Sequence, residues 1–87
     1  MRVGLLSDTH GLLRPAVLDW LRGCDHLVHA GDVCDARTLA ALQAFAGDTP
    51  LTVVRGNNDV GPWAEALPLR QRLTLAGVSI LVVHDIA

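Results

Sequence analysis

Short apolar runs that end abruptly at polar turn residues constrain this chain more than any other feature. Val3-Gly4-Leu5-Leu6 runs into Ser7-Asp8-Thr9-His10-Gly11, and His26-Leu27-Val28-His29-Ala30 runs into Gly31-Asp32. Leu51-Thr52-Val53-Val54-Arg55 runs into Gly56-Asn57-Asn58-Asp59, and Val78 to Val83 runs into His84-Asp85. Runs of this length bounded by turn residues read as buried strands. Helical stretches separate the first three. One covers Pro15 to Arg22, with proline in its first turn and Gly23 at its stop, and sets Leu13, Val17 and Leu21 on one face. The other covers Ala36 to Ala46, with Asp35 as N-cap, Gly47 as terminator, and Leu39, Leu42 and Phe45 or Ala46 on its apolar face. Strand and helix in alternation imply a parallel sheet with right-handed crossovers. After Asp59 the rhythm changes. Gly61 to Pro68 reads as a loop or a single helical turn, and Gln71 to Leu75 with Val78 to Val83 as a hairpin about Ala76-Gly77. The expected fold is α/β, a parallel βαβαβ start followed by a β-hairpin; if the last strand lies in one sheet with the first three, their carboxyl ends form a line.

Size and charge remove several function classes. A chain of 87 residues forms at most one small domain, and such a domain buries only about 60% of its unfolded surface. No apolar run approaches the length of a membrane span. Met1-Arg2-Val3 leads straight into a strand pattern without a signal-peptide region, which points to a cytoplasmic protein. The formal charge is −2, and the seven basic residues are all arginines, scattered rather than gathered in a stripe. General nucleic-acid binding is therefore not expected. Cys24 and Cys34 lack CxxC spacing and read as unpaired thiols. No GxGxxG follows the first strand, which removes a Rossmann-type nucleotide binder.

The residues that end the strands carry the chemistry. In an open α/β sheet, ligands bind beyond the carboxyl ends of the strands, so Asp8, His10, Asp32, Asn57 and His84 should meet at one rim. Each has an ordinary reading when taken alone. Asp8 caps a turn, Gly31-Asp32 is a common turn dipeptide, Gly56-Asn57 suits a tight turn, and His84 reads as a core histidine. Their recurrence at four strand ends in a consistent order is what selects a shared site. Mixed oxygen and nitrogen donors suit manganese, iron, zinc or cobalt better than calcium.

These motifs, in this order, resemble the calcineurin-like metallophosphoesterase superfamily, and within it the small bacterial and archaeal phosphodiesterase branch. The family pattern is Asp-x-His, Gly-Asp, Gly-Asn with a following acid, a histidine after a strand, and finally Gly-His-x-His. Ser7-Asp8-Thr9-His10-Gly11, His29-Ala30-Gly31-Asp32-Val33, Val54-Arg55-Gly56-Asn57-Asn58-Asp59 and Val82-Val83-His84-Asp85 match the first four. The resemblance implies a single partial domain over residues 1–87, the N-terminal half of an αββα sandwich. It implies that Asp8 and His10 hold one divalent metal, that Asp32 bridges two, and that Asn57 and His84 hold the second. Manganese is the first choice, with iron, zinc, cobalt, nickel or magnesium as alternatives. His29 would orient a ligand from behind, and Asp59 would buttress the Asn57 turn. The implied reaction is attack of a metal-bound hydroxide on phosphorus in a small phosphodiester or phosphomonoester.

Two departures qualify that expectation. Many relatives carry a histidine beside the metal-binding asparagine as proton donor, and here that position is Asn58. No Gly-His-x-His occurs before Ala87. The 87-residue chain is therefore expected to bind metal weakly, to be inactive or nearly so, and to self-associate through an open sheet. The competing reading is a non-catalytic interaction module with the same fold, similar to a retromer subunit. Intact Asp8 and His10 favour the enzyme.

Overall fold

A computed structural model describes residues 2–84. The chain runs β1 (Val3–Leu6), α1 (Pro15–Leu21), β2 (His26–His29), α2 (Ala36–Ala46), β3 (Leu51–Val53), α3 (Pro62–Glu65), β4 (Arg70–Leu75) and β5 (Val78–Val83). β2 lies between β1 and β3, and both pairings are parallel, with Leu5 opposite Val28 and Val28 opposite Thr52. The α2 start is set by Asp35, whose carboxylate accepts a hydrogen bond from the Thr38 N–H at 2.7 Å. That bond satisfies one of the donors a helix leaves free at its first turn, and it holds the Asp35 carboxyl below its usual range.

The hairpin forms as expected: β5 pairs antiparallel with β4, Leu73 opposite Ile80, in a two-stranded sheet separate from the parallel strands. The reason is local closure. Ala76 and Gly77 both take positive φ, +50° and +81°, the conformation of a two-residue turn that matches strand twist. Meanwhile the third strand leaves its ladder at Val53, two residues short of the expected Arg55. The Arg55 N–H donates instead to the Pro68 carbonyl at 2.8 Å, which draws the chain toward β4.

The parallel sheet is covered on both faces. Side chains alternate along β2, so Leu27 packs with Leu21 of α1 and Ala46 of α2, and Val17 and Phe45 close the same cluster. Val28 faces the other way, against Val54 and Val82, with Leu73 and Ile80 of the hairpin beside them. Two helices, a parallel sheet and a hairpin thus make three layers. Leu27 and Leu42 are fully enclosed, each worth about 1.5–3 kcal/mol of burial. β1 stands at an edge of its sheet, with Leu5 73% exposed. No helix among the described residues is long and apolar enough to cross a membrane.

Candidate metal centre

The loops after β1 and β2 run on side by side beyond the sheet. The Asp8 N–H donates to Gly31, His10 to Asp32 and Gly11 to Val33, at 2.9–3.1 Å. Neither loop is extended. Asp8, His10, Asp32 and Cys34 all hold left-handed backbone, with φ of +54°, +49°, +62° and +82°. Residues other than glycine avoid this region, and such strain gathers at functional sites. Its effect here is to turn the side chains of Asp8, His10 and Asp32 toward one point. A ligand atom from each lies within 4.8 Å of the others.

His84 reaches the same point from the second sheet. Its Nδ1–H donates to the Ala30 carbonyl at 2.8 Å, which leaves Nε2 as the nitrogen facing the cluster. Nε2 lies 3.4 Å from Asp32 Oδ2 and 3.9 Å from Asp8 Oδ1. The Ala30 bond, more than the neighbouring carboxylates, raises the imidazole above its ordinary value, against the effect of burial. Asn57 is exposed and lines a cleft with His84. Asp85, the last residue of the fourth motif, lies outside the described residues.

Asp32 is the centre of the arrangement, and Asn58 holds it. The Asn58 backbone N–H donates to Oδ1 and its side-chain amide to Oδ2, both at 2.9 Å. Burial works to raise the Asp32 carboxyl, but these two bonds, joined by the nearby His84 and Asp8, leave it below its usual range. From the sequence, Asn58 reads only as a residue unable to act as an acid. Its grip on Asp32 has a faint signal in the doubled amide after Gly56, which leaves one asparagine free to face inward.

Asp59 does more than steady the turn that carries Asn57. Its buried carboxylate accepts from the N–H groups of Asp32 at 2.9 Å, Cys34 at 2.7 Å and Gly56 at 2.8 Å. One side chain therefore ties the loop after β2 to the loop after β3. Cys34 also meets the site, with Sγ 3.4 Å from His10 Nδ1. Burial, then the charges of Asp32 and Asp59, push its thiol up and keep it protonated.

His29 does not touch a candidate ligand. Fully buried, it accepts from the Gly31 N–H at Nδ1 and meets Thr9 Oγ1 at Nε2, both at 3.1 Å. An accepting Nδ1 leaves the proton on Nε2, so the ring is neutral and joins the loop bearing Asp8 to the loop bearing Asp32. Desolvation lowers it from 6.5, against the pull of Asp59 and Asp8. A depressed histidine means that the unfolded chain takes up the proton first, so stability falls as pH drops. The advantage of the natural chain over His29→Gln should be complete above pH 6.5, at about 1–3 kcal/mol, and should shrink as pH falls through that value. Thermal melts of both metal-free proteins between neutral and mildly acidic pH measure this. Subtracting the variant removes the opposite contribution of His84, and a gap that widens in acid would show that His29 is not buried neutral.

The profile of the calcineurin-like phosphoesterase superfamily domain matches residues 1–86. The chain belongs to that superfamily. Within it, the chain is 33% identical over 89 aligned residues to a protein of Methanocaldococcus jannaschii described as "Probable metallophosphoesterase". The alignment covers 97% of this chain and 43% of the archaeal protein. Among solved structures of phosphoesterase fold, it is similar to the Escherichia coli phosphoesterase YfcE, with TM-score 0.75 and 26% identity over 98% of this chain and 58% of that one. Vps29 of Chaetomium thermophilum shares the fold, with TM-score 0.74 and 23% identity over 91% of this chain and 43% of that one. The chain thus spans about half the length of these phosphoesterase-superfamily relatives.

Proposed function

We propose that this chain supplies most of the ligands of a two-metal phosphoesterase centre acting on a small phosphodiester or phosphomonoester. The observation that carries the reading is the convergence of Asp8, His10 and Asp32, whose ligand atoms lie within 4.8 Å of one another. The donor set fits a divalent cation of the manganese type. Carboxylate oxygens and an imidazole nitrogen point at one place, and the four lone-pair sites of Asp32 exceed what Asn58 uses. Asp8 and His10 would hold one cation, Asp32 would be shared, and Asn57 with His84 would hold the other. Divalent cations held there would supply charge neutralisation at the phosphoryl oxygens and acidify a water for attack near neutral pH.

The residues themselves provide orientation. The Ala30 carbonyl takes up the Nδ1–H of His84, so Nε2 is the nitrogen turned toward Asp32 and the one that would hold a cation. Asn58 commits its amide to Asp32 and has no acidity to offer a leaving group. Esters with stable leaving groups therefore suit the site. The Gly-His-x-His pair of the family pattern is not among these 87 residues, so the proposed affinity of this chain for metal is weak.

Titration with Mn²⁺ by calorimetry tests the reading. Saturable binding is expected, with affinity reduced on the order of tenfold or more in Asp32→Asn. Binding that Asp32→Asn leaves unchanged would place the metal elsewhere. A folded chain that binds no metal would favour the interaction-module reading.

A further inference from the structure

Beside the carboxylate cluster lies a cleft of about 280 Å³ with the opposite charge. Arg55, Asn57, Leu69, Arg70 and His84 line it. His84 belongs to both places: one edge of its ring faces the cleft and Nε2 faces Asp32 at 3.4 Å. The two arginines are brought together by backbone. The Arg55 N–H donates to the Pro68 carbonyl at 2.8 Å, and Arg70 opens β4 two residues later. Among the described residues, neither guanidinium has a carboxylate within ion-pair distance. Arg55 is nonetheless half-buried. In a chain of net charge −2 without a single lysine, two arginines that line one cleft and have no carboxylate partner among the described residues offer a ready place for an anion from outside. A guanidinium fork matches phosphate or carboxylate oxygens in a bidentate way that a lysine does not.

We propose that Arg55 and Arg70 form an anion subsite that receives a second anionic group of the substrate. The preferred ester then carries a phosphate or carboxylate on the side away from the phosphorus under attack. This rests on the phosphoesterase reading and adds a substrate class to it. It also fits Asn58: an ester partner held by two arginines leaves with its charge already balanced, so the missing acid matters less.

Paired probes separate the two ideas. Methylphosphonate offers the metal-facing group alone, whereas phosphonoacetate adds a carboxylate and methylenediphosphonate a second phosphonate. Each is titrated by calorimetry into the chain with excess Mn²⁺. Either two-anion probe should bind on the order of tenfold more tightly than methylphosphonate, and the tighter of the two identifies the anion. Arg70→Gln, at an exposed position, should reduce that preference toward parity while leaving methylphosphonate unchanged. Arg55→Gln should do the same, with circular dichroism confirming its fold and Arg55→Lys restoring part of the preference. Equal affinity for all three probes, or a preference that both glutamine variants retain, would overturn the subsite and leave the phosphoesterase reading standing. No Mn²⁺-dependent binding of methylphosphonate would overturn that reading and the subsite with it.

Discussion

Gly56→Ala should cost the fold about 1–3 kcal/mol and remove Mn²⁺ binding together with it. A Cβ at this position would overlap the Oδ1 and backbone nitrogen of Asp32 and stand 2.9 Å from its Cγ. None of these atoms is the loose end of a flexible side chain. Asp32 is gripped by Asn58 and its backbone by Asp59, so the collision must push the loops after β2 and β3 apart. Gly31 makes the approach possible from the other side, since a Cβ there would lie 2.9 Å from the Gly56 backbone and 2.7 Å from His84 Nδ1. Gly77→Ala is the matching control. Its φ of +81° is strained for alanine, but nothing lies within 4 Å of the added carbon. It should therefore lower the melting temperature and leave metal affinity alone. Thermal melts and Mn²⁺ titrations of both variants decide the matter; equal effects on metal binding would mean that close approach at Gly56 is unimportant to the site.

Asp59→Ala should be more damaging still, about 3–5 kcal/mol, because three backbone N–H groups lose their acceptor at once. For a domain of this size that is a large share of the whole stability, which is on the order of 0.1 kcal/mol per residue. Asp59→Asn should be intermediate. It keeps one oxygen but turns an NH₂ toward either the Cys34 N–H or the pair from Asp32 and Gly56, so part of the staple is lost and part becomes a donor–donor clash. The expected order of chemical-denaturation midpoints is therefore natural chain, asparagine, alanine. Amide hydrogen exchange supplies the local readout: Asp32, Cys34 and Gly56 should lose protection in Asp59→Asn before the rest of the sheet does. Protection lost uniformly, with no excess at those three amides, would mean that Asp59 is not the link between the loops.

Several elements of this protein were legible in its residues. Asp35 and Gly47 mark the ends of α2, because a short carboxylate satisfies a first-turn donor and glycine tolerates the conformation that stops a helix. Alternation of apolar strand and helix required a parallel sheet, and the repeated break into Asp, His and Asn at its carboxyl ends named where ligands would gather. These features are set by neighbours in the chain, through period, capping and turn geometry. The β4–β5 hairpin was legible in the Ala76-Gly77 turn, but which sheet it would belong to was not, since an apolar run of six residues fits several neighbours. The Val28–Val54 face decided it, because Val82, Leu73 and Ile80 pack over it and that face exists only once the parallel sheet has formed.

The same division runs through the site. Asp8, His10 and Asp32 could be picked from sequence because metal-type donors at strand ends are uncommon in combination. The tasks of Asn58, Asp59 and His29 came from residues about twenty or more positions away: Asn58 and Asp59 meet Asp32, and His29 meets Thr9. Each forms hydrogen bonds whose partners depend on how two loops come to lie side by side. Sequence by itself determined the elements and the chemical character of the rim. Tertiary structure alone decided which polar group holds which, because a hydrogen bond acts over about 3 Å and only the folded chain brings distant residues that close.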